Sequence, residues 1–206
     1  MCNSKRDFTR LLCVALVIAQ CVLAGCSEST RVLSSADPVV QLSTTMGVIR
    51  LRLDIDRAPV SVANFLDYVE AGFYDSTIFH RVIPSFVIQG GQFTPDLVKK
   101  VAGDPIICES DNGLSNLRGT IGVARPSTAN SGTCQFFINL VDNRALDRND
   151  DAQIVGYAVF GHVISGMSVV DAIAGVPTSG QYPPVGPPMN DVPTTPVIVL
   201  SAKRIK

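Results

Sequence analysis

Residues 78–91 constrain the fold more than any other segment, because they combine two short strands, a turn and a glycine pair. The first strand carries Arg81 among apolar residues, a Pro-Ser turn follows, and the second strand carries Phe86 and Gln89. The Gly-Gly pair that comes next permits a tight backbone bend. Arg81, Phe86 and Gln89 can therefore converge, which suits a site that binds without acid/base chemistry.

The segment before this run predicts a hairpin and a helix. Residues 39–45 and 48–55 alternate between apolar and polar residues on either side of a Met-Gly turn, as paired strands do. The apolar set of the second strand is predicted to face a core and comprises Ile49, Leu51, Leu53 and Ile55. Residues 59–71 then change to helical spacing, with Pro59 suited to the first turn and Gly72 to the stop.

The rest of the chain adds short strands and one more helix. Strand candidates lie at 106–108, 120–125, 134–141, 153–164 and 197–203, and residues 167–174 are predicted to form a helix. Residues 94–116 are otherwise predicted to be surface loop, and the proline-rich segment 180–196 an extended loop. Many short strands with two helices indicate an all-β-dominated barrel or sandwich, and composition does not choose between the two.

The first 25 residues have the features of a secretory signal. Basic residues precede an apolar stretch over 11–23, which ends in Leu-Ala-Gly before Cys26. This ending is similar to a bacterial lipobox, in which the cysteine thiol is acylated and cleavage makes the cysteine the mature N-terminus. An ordinary signal or an uncleaved anchor is the alternative, but the apolar stretch falls short of the roughly 20 residues that span hydrocarbon.

Three segments are therefore expected: a signal peptide at 1–25, a lipid-bearing cysteine with a flexible tether at 26–37, and one domain at 38–206. The lipid would hold the domain at a bacterial cell membrane. Ser27 after the cysteine favours the outer membrane, facing the periplasm, in a bacterium with two membranes. Without residues 1–25, 14 basic and 17 acidic residues remain, a net charge of −3. No basic stripe predicts binding to nucleic acid.

Few cysteines remain in the domain once the signal is removed. Of six cysteines, three leave with the signal and Cys26 would carry the lipid, so Cys108 and Cys134 remain in the domain. Export would permit a disulfide between them, whereas their apolar, strand-like surroundings favour two separate buried thiols. No Cys/His cluster has metal-site spacing, and neither a metal nor a cofactor is expected.

The run from residue 79 to 93, Phe-His-Arg-Val-Ile-Pro-Ser-Phe-Val-Ile-Gln-Gly-Gly-Gln-Phe, closely resembles the signature of the cyclophilin family of peptidyl-prolyl cis/trans isomerases. Two further blocks, within 120–138 and 157–163, resemble that family in the same order. The resemblance covers 39–206 and implies an eight-stranded antiparallel β-barrel capped by two α-helices. It also implies an isomerase (EC 5.2.1.8) that acts on Xaa-Pro bonds and, in an exported chain, assists protein folding.

Carried over position by position, the resemblance implies a peptide groove. The catalytic residues would be Arg81, Phe86 and Gln89. The substrate-binding residues would be Val87, Ala124, Arg125, Gln135, Phe137, Leu146 and Tyr157. Phe136 is expected in the core instead, because adjacent strand residues face opposite ways.

The chemistry of these residue types fits prolyl isomerisation, a rotation against a barrier of roughly 18–20 kcal/mol that breaks no covalent bond. Catalysis needs an apolar clamp on the proline ring and a donor that binds the twisted amide better than either planar isomer. Arg81 is the expected donor, and Gln89 would hold the Arg81 head group or the substrate carbonyl. The peptide groups near Ala124 and Arg125 could pair with the substrate backbone. The expected clamp consists of Phe86, Val87, Phe137 and Leu146.

Two positions depart from the pattern of eukaryotic family members. Ala145 lies where the family often has Trp or Phe, and Tyr157 lies where many members have His. Both choices resemble the bacterial branch. The small side chain of Ala145 shortens the wall of the peptide groove at this position. This predicts weak cyclosporin binding and a broad substrate preference.

The expected partners are proline-containing segments of folding proteins and, through the lipid, a membrane, with the domain itself monomeric. A non-catalytic peptide-binding lipoprotein is the rival hypothesis, and the retained Arg81 favours the enzyme. A nucleophilic triad of Ser131 or Cys134 with a histidine lacks any supporting motif. His80 is expected to fill a structural position beside Arg81.

Overall fold

Eight antiparallel strands close a barrel in residues 37–181 and 183–205, the parts of the chain that this computed structural model describes. Around the barrel the order is β1-β10-β3-β4-β6-β5-β7-β2. This confirms the predicted barrel. The barrel strands are β1 (Val39–Thr44), β2 (Gly47–Leu53), β3 (Thr77–Ile83), β4 (Val87–Gly90), β5 (Thr120–Val123), β6 (Phe136–Asn139), β7 (Val159–Ser165) and β10 (Ile198–Ile205). The predicted signal peptide, Cys26 and the tether up to residue 36 lie outside the described ranges.

Two α-helices pack on the barrel, α1 (Pro59–Glu70) and α2 (Met167–Ala174), and a 3-10 turn spans Arg144–Leu146. Both helices lie where helical spacing predicted them. Gly72 follows α1 with a φ of +63°, a conformation that glycine adopts without steric cost. In the described ranges, no helix combines the length and the apolar character needed to cross a membrane.

The first turn of α1 is capped from a distant part of the chain. The residue before the helix is Ala58, whose side chain makes no capping hydrogen bond. The buried carboxylate of Glu109 accepts instead, with Oε1 3.0 Å from the Val60 nitrogen and Oε2 2.7 Å from the Ser61 nitrogen. The Ser61 hydroxyl also donates to Oε2, at 2.7 Å. Glu109 thus satisfies the helix amides and places a negative charge at the positive end of the helix dipole.

Strand alternation builds the core largely as predicted. Ile49, Leu51 and Leu53 are fully buried, whereas Ile55 is 41% exposed, so the prediction that Ile55 faces the core is wrong. Strand β2 ends at Leu53, and Ile55 lies in the turn that leads to α1. Beneath α1, the Phe65 ring packs against the rings of Tyr74, Phe136 and Phe160, with centroids 5.1 to 5.6 Å apart.

Three other predicted elements differ in the structure. Residues 106–108 form no strand, and only Ile106 makes an isolated bridge, to Gly132. The strand predicted at 153–164 begins at Val159. The segment 180–196, predicted to be an extended loop, contributes to a separate two-stranded sheet of β8 (Thr178–Gln181) and β9 (Met189–Pro193). This sheet lies outside the barrel order, so its prolines interrupt no central strand.

Cys108 and Cys134 are free thiols in the structure. Cys134 is buried and Cys108 is half-buried. The two thiols are therefore separate, as the sequence favoured, but only Cys134 is buried as expected. Burial raises the pKa of the Cys134 thiol, as expected for an unreactive interior cysteine.

Candidate functional site

The register of four neighbouring strands aligns the predicted site residues in one row. Arg81 on β3 pairs with Gln89 on β4, Gln89 with Phe137 on β6, and Phe137 with Gly122 on β5. Paired residues share a face of the sheet. The row next to it, which faces the barrel interior, is fully buried and comprises Val82, Ile88, Ile138 and Ile121. The outer face of these strands is thus free to form a site while the inner face forms the core.

The outer face carries a cavity of about 280 Å³ that collects nearly all of the predicted residues. Its lining is Arg81, Phe86, Val87, Gln89, Ala124, Arg125, Phe137, Leu146 and Tyr157. The tenth predicted residue, Gln135, lines a neighbouring cavity of about 540 Å³ that shares Gln89, Ala124 and Arg125 with the first. The structure therefore brings all ten predicted residues to two adjoining cavities.

The apolar part of the smaller cavity is a distinct cluster, separate from the main core. Val87, Ala124 and Phe137 are buried, and Phe86, Leu146 and Tyr157 pack against them. The ring of Phe137 meets that of Tyr157 edge to face, with centroids 5.9 Å apart. Phe136, by contrast, belongs to the main core, as strand alternation predicted. Ala145, next to Leu146 in the 3-10 turn, is exposed and adds no large wall.

Arg81 supplies the positive charge of the site. Its Nη1 donates to Oε1 of Gln89 over 3.4 Å, so Gln89 holds the Arg81 head group, one of the two roles expected for it. Among the described residues, no carboxylate forms an ion pair with Arg81. Arg81 is half-buried, and its guanidinium carries a positive charge and five N–H donors. It can therefore donate a charge-assisted hydrogen bond to an acceptor in the cavity.

Arg125 forms part of the wall. Its guanidinium stacks on the Tyr157 ring, with Cζ 4.6 Å from the centroid, and donates to the carbonyls of Pro126 and Gly156. The Ala124 N–H donates to the Gln135 carbonyl over 3.0 Å. This N–H is thus bonded within the protein and is not available to a substrate. The peptide groups of Ala124 and Arg125 that could still pair with a substrate backbone are the remaining ones.

Sequence reasoning missed a buried amide network beneath the cavity. The Asn116 side chain donates to Oδ1 of Asp147 over 2.9 Å and to the Tyr157 carbonyl over 3.3 Å. Asn143 Nδ2 donates to the Phe86 carbonyl over 2.9 Å. These contacts fix the backbone of Phe86 and of Tyr157 and the side chain of Asp147, the neighbour of Leu146. The property that marks Asn116 as part of this network is its full burial, which a single sequence does not show.

His80 lies on β3 beside Arg81 but does not line the cavity that contains Arg81. It is 3% exposed, and its ring lies 4.8 Å from that of Phe93. Burial and, to a lesser degree, the charge of Arg81 lower the pKa of His80 to about 4, against an opposing hydrogen bond with Gln135. The imidazole is therefore neutral at pH 7. This placement fits the expected structural position.

The buried, neutral state of His80 makes stability depend on pH. Between pH 6.5 and 4 the unfolded chain binds a proton at this residue that the folded chain does not, so stability falls as the pH falls. We expect His80 to contribute a loss of about 2 to 3 kcal/mol between pH 7.5 and 4.5. Urea unfolding of the protein and of His80→Gln at both values measures it as the difference between the two losses. Equal losses would contradict this role.

Comparison with known proteins finds a matching family model and similar bacterial proteins. Residues 39–204 match the family model of the cyclophilin type peptidyl-prolyl cis-trans isomerase/CLD. Peptidyl-prolyl cis-trans isomerase A of Dickeya dadantii is 47% identical over 203 residues, covering 98% of this chain and 99% of the relative. Peptidyl-prolyl cis-trans isomerase B of Escherichia coli K12 is 46% identical over 166 residues, covering 79% and 97%.

Solved structures show the same fold. The crystal structure of a Cryptosporidium parvum cyclophilin type peptidyl-prolyl cis-trans isomerase, obtained in the presence of the dipeptide Ala-Pro, superposes with a TM-score of 0.68 at 25% identity. The match covers 82% of this chain and 99% of that one. The likeness therefore extends over nearly the entire described barrel.

Proposed function

This chain belongs to the cyclophilin-type peptidyl-prolyl cis-trans isomerases, and we propose that its groove accelerates isomerisation by stabilising the twisted Xaa-Pro amide. It is an isomerase of class EC 5.2.1.8 whose ligands are proline-containing peptides. One observation carries the residue assignment: nine of the ten predicted residues line a single cavity in which Arg81 borders an apolar cluster.

Arg81 is the proposed catalytic donor. When an Xaa-Pro amide twists, conjugation is lost and the prolyl nitrogen regains a lone pair, which a planar amide lacks. A guanidinium N–H that bonds this lone pair stabilises the twisted state and not the planar ones, so it lowers the barrier. Gln89 Oε1 accepts a hydrogen bond from the guanidinium and helps to hold it in place. No bond is broken and no proton is transferred, so the reaction needs no titrating group.

The apolar cluster is the proposed clamp for the proline ring. Phe86, Val87, Phe137 and Leu146 enclose a space in which a pyrrolidine ring would displace water. Desolvation also strengthens the hydrogen bond from Arg81, because the effective dielectric constant falls. A rate increase of a millionfold requires about 8 kcal/mol of differential binding. One charge-assisted bond in a partly dry groove, together with positioning, supplies energies of this order.

The packing of Phe137 on a glycine tests the clamp. A Cβ on Gly122 would lie 2.5 Å from Cζ of Phe137, so Gly122→Ala must displace the ring. We expect kcat/KM for an Xaa-Pro peptide to fall about 10-fold, the effect of about 1.4 kcal/mol of lost transition-state binding. Gly175→Ala is the matched control, because a Cβ there has its nearest contact at 3.6 Å. Unchanged kcat/KM in Gly122→Ala would remove Phe137 from the clamp.

We further propose that the enzyme is exported, tethered by a lipid on Cys26, and assists the folding of exported proteins. The basic and apolar segments before Cys26 and the small residues at 24 and 25 support the signal and the lipid. The relatives described above come from bacteria, as the interpretation of this segment as a bacterial lipobox requires. A tether of about ten residues would keep the groove near a membrane surface, where exported chains emerge.

Metabolic labelling tests the lipid. When cells that express the full chain are grown with radioactive palmitate, the protein should become labelled. The Cys26→Ser variant should carry no label. Cys21→Ser is the matched control within the apolar segment and should keep the label. Label on Cys26→Ser, or none on the parent chain, would refute the lipid anchor.

Refolding of an exported protein tests the folding role. A client whose refolding is limited by prolyl isomerisation refolds over tens to hundreds of seconds. The enzyme should accelerate that phase in a concentration-dependent way, and Arg81→Ala should not. If only short peptides are accelerated, the role in folding fails while the isomerase activity stands.

A further inference from the structure

We propose that Gln92 is a positioning residue for isomerisation, acting through Gln135 and Gln89 to fix the guanidinium of Arg81. Gln92 follows β4 directly after the glycine pair and is 4% exposed. It does not line the 280 Å³ cavity in which Arg81 meets the apolar clamp. The inference rests on the proposed function, in which Arg81 is the donor to the twisted amide.

Four hydrogen bonds link Gln92 to Arg81 and to the backbone on the other side. Gln92 Nε2 donates to the Lys100 carbonyl over 3.2 Å, and Gln135 Nε2 donates to Gln92 Oε1 over 2.5 Å. Gln89 Nε2 then donates to Gln135 Oε1 over 2.8 Å, and Arg81 Nη1 donates to Gln89 Oε1 over 3.4 Å. The three side-chain amides thus form one continuous relay.

The two ends of the relay allow only one orientation of its amides. The Lys100 carbonyl can only accept, and the Arg81 guanidinium can only donate. Gln92 must therefore turn its NH₂ group towards Lys100 and its oxygen towards Gln135. The same constraint passes along the relay, so that Gln89 presents its oxygen to Arg81. A reversed Gln89 amide would place NH₂ against the guanidinium, donor against donor.

The anchoring carbonyl is itself held in place. The Lys100 N–H donates to the Gln92 carbonyl over 2.9 Å, so the two residues bond in both directions. The Lys100 ammonium bonds the Phe73 carbonyl and lies 4.7 Å from the centroid of the Phe73 ring. Without Gln92, Gln135 would lose its acceptor, and the relay would be held only by Arg81 at its other end and by the hydrogen bond between His80 and Gln135. Arg81 would then sample orientations that do not face the prolyl nitrogen.

The test compares kcat and KM of the full-length chain for a short Xaa-Pro peptide. Gln92→Met keeps the side-chain volume and removes both polar groups, and we expect kcat to fall about 10-fold with KM within twofold. In an Arg81→Ala background, Gln92→Met should have no further effect, because the relay would no longer end on a catalytic donor. A raised KM at unchanged kcat would instead indicate substrate contact from the neighbouring cavity and would overturn the proposal.

Gln92→Glu gives a second, pH-dependent readout. The protonated carboxyl reproduces the amide, since its O–H can donate to the Lys100 carbonyl and its other oxygen can accept from Gln135. The carboxylate cannot donate, so kcat of this variant should rise several-fold as the pH falls from 8 to 5 while that of the parent stays level. A level profile in Gln92→Glu would overturn the relay.

Parallel assays separate failure of the relay from failure of the proposed function. If Arg81→Ala retains full activity, the proposed function fails. If Arg81→Ala is inactive but Gln92→Met is fully active, only the relay fails. Urea unfolding of each variant shows whether a loss of kcat comes from loss of folded protein.

Discussion

Replacing Arg81 by alanine lowers kcat/KM for an Xaa-Pro peptide by about 10²- to 10³-fold, if the guanidinium bonds the prolyl nitrogen in the twisted state. Removal of one preorganised donor costs this much in other enzymes that stabilise charge or lone pairs in the transition state. The barrel should stay folded, because Arg81 is half-buried and forms no ion pair among the described residues. Exchange between the cis and trans NMR signals of the peptide measures the effect.

Arg81→Lys is the matched control, because it keeps the charge and removes the planar fork. We expect most of the activity to be lost in this variant too, since the ammonium cannot bond Gln89 and the prolyl nitrogen with the same geometry. Near-parental activity of Arg81→Lys would reduce the role of Arg81 to a general positive charge. If the parent binds the peptide without accelerating exchange, the groove is a binding module and the proposed catalysis fails.

Replacing Glu109 by alanine lowers the free energy of unfolding by about 3 kcal/mol. The variant leaves the N–H groups of Val60 and Ser61 and the Ser61 hydroxyl without their acceptor, and it removes a favourable charge from the helix terminus. For a domain of this size the melting temperature should fall by about 6 to 12 °C. Urea and thermal unfolding measure both quantities.

Glu109→Gln and Ser61→Ala divide that effect into its parts. Glutamine keeps one acceptor oxygen and loses the charge, so it should cost less than alanine does. Ser61→Ala removes only the hydroxyl bond and should cost about 1 kcal/mol. A change below about 0.5 kcal/mol in Glu109→Ala would mean that water caps α1 as well as the carboxylate does.

The strands and helices could be predicted from the sequence where a local residue pattern is typical of a single secondary structure. The alternation over 48–53 and the helical spacing of Val62, Phe65, Leu66 and Val69 both depend on neighbours within a few residues. Ile55 continued the alternation in sequence but lies beyond the end of β2, because pairing with β7 stops at Leu53. Where a strand ends because its pairing with a partner strand ends, the local spacing of apolar residues does not predict the boundary.

The site was predictable to the extent that its residues lie in a recognisable motif. Arg81, Phe86 and Gln89 belong to one continuous run, and strand pairing brings them together as expected. Gln92 lies in the same run and Asn116 lies in a segment without periodicity, but the roles of both depend on partners more than 20 residues away in Gln135, Asp147 and Tyr157. Hydrogen bonds of such range depend on tertiary structure, so no local pattern signals them.

The barrel is closed by its first and last strands. Strand β1 pairs with β10 along its whole length as well as with β2, so the seam joins Val39 to Ile205. A chain still under synthesis therefore cannot complete the cylinder until β10 has been made. Contacts between sequence ends also carry the largest loop-closure entropy, which slows folding. The barrel consequently stays open until β10 has been synthesised, so isomerase activity is expected only after that point.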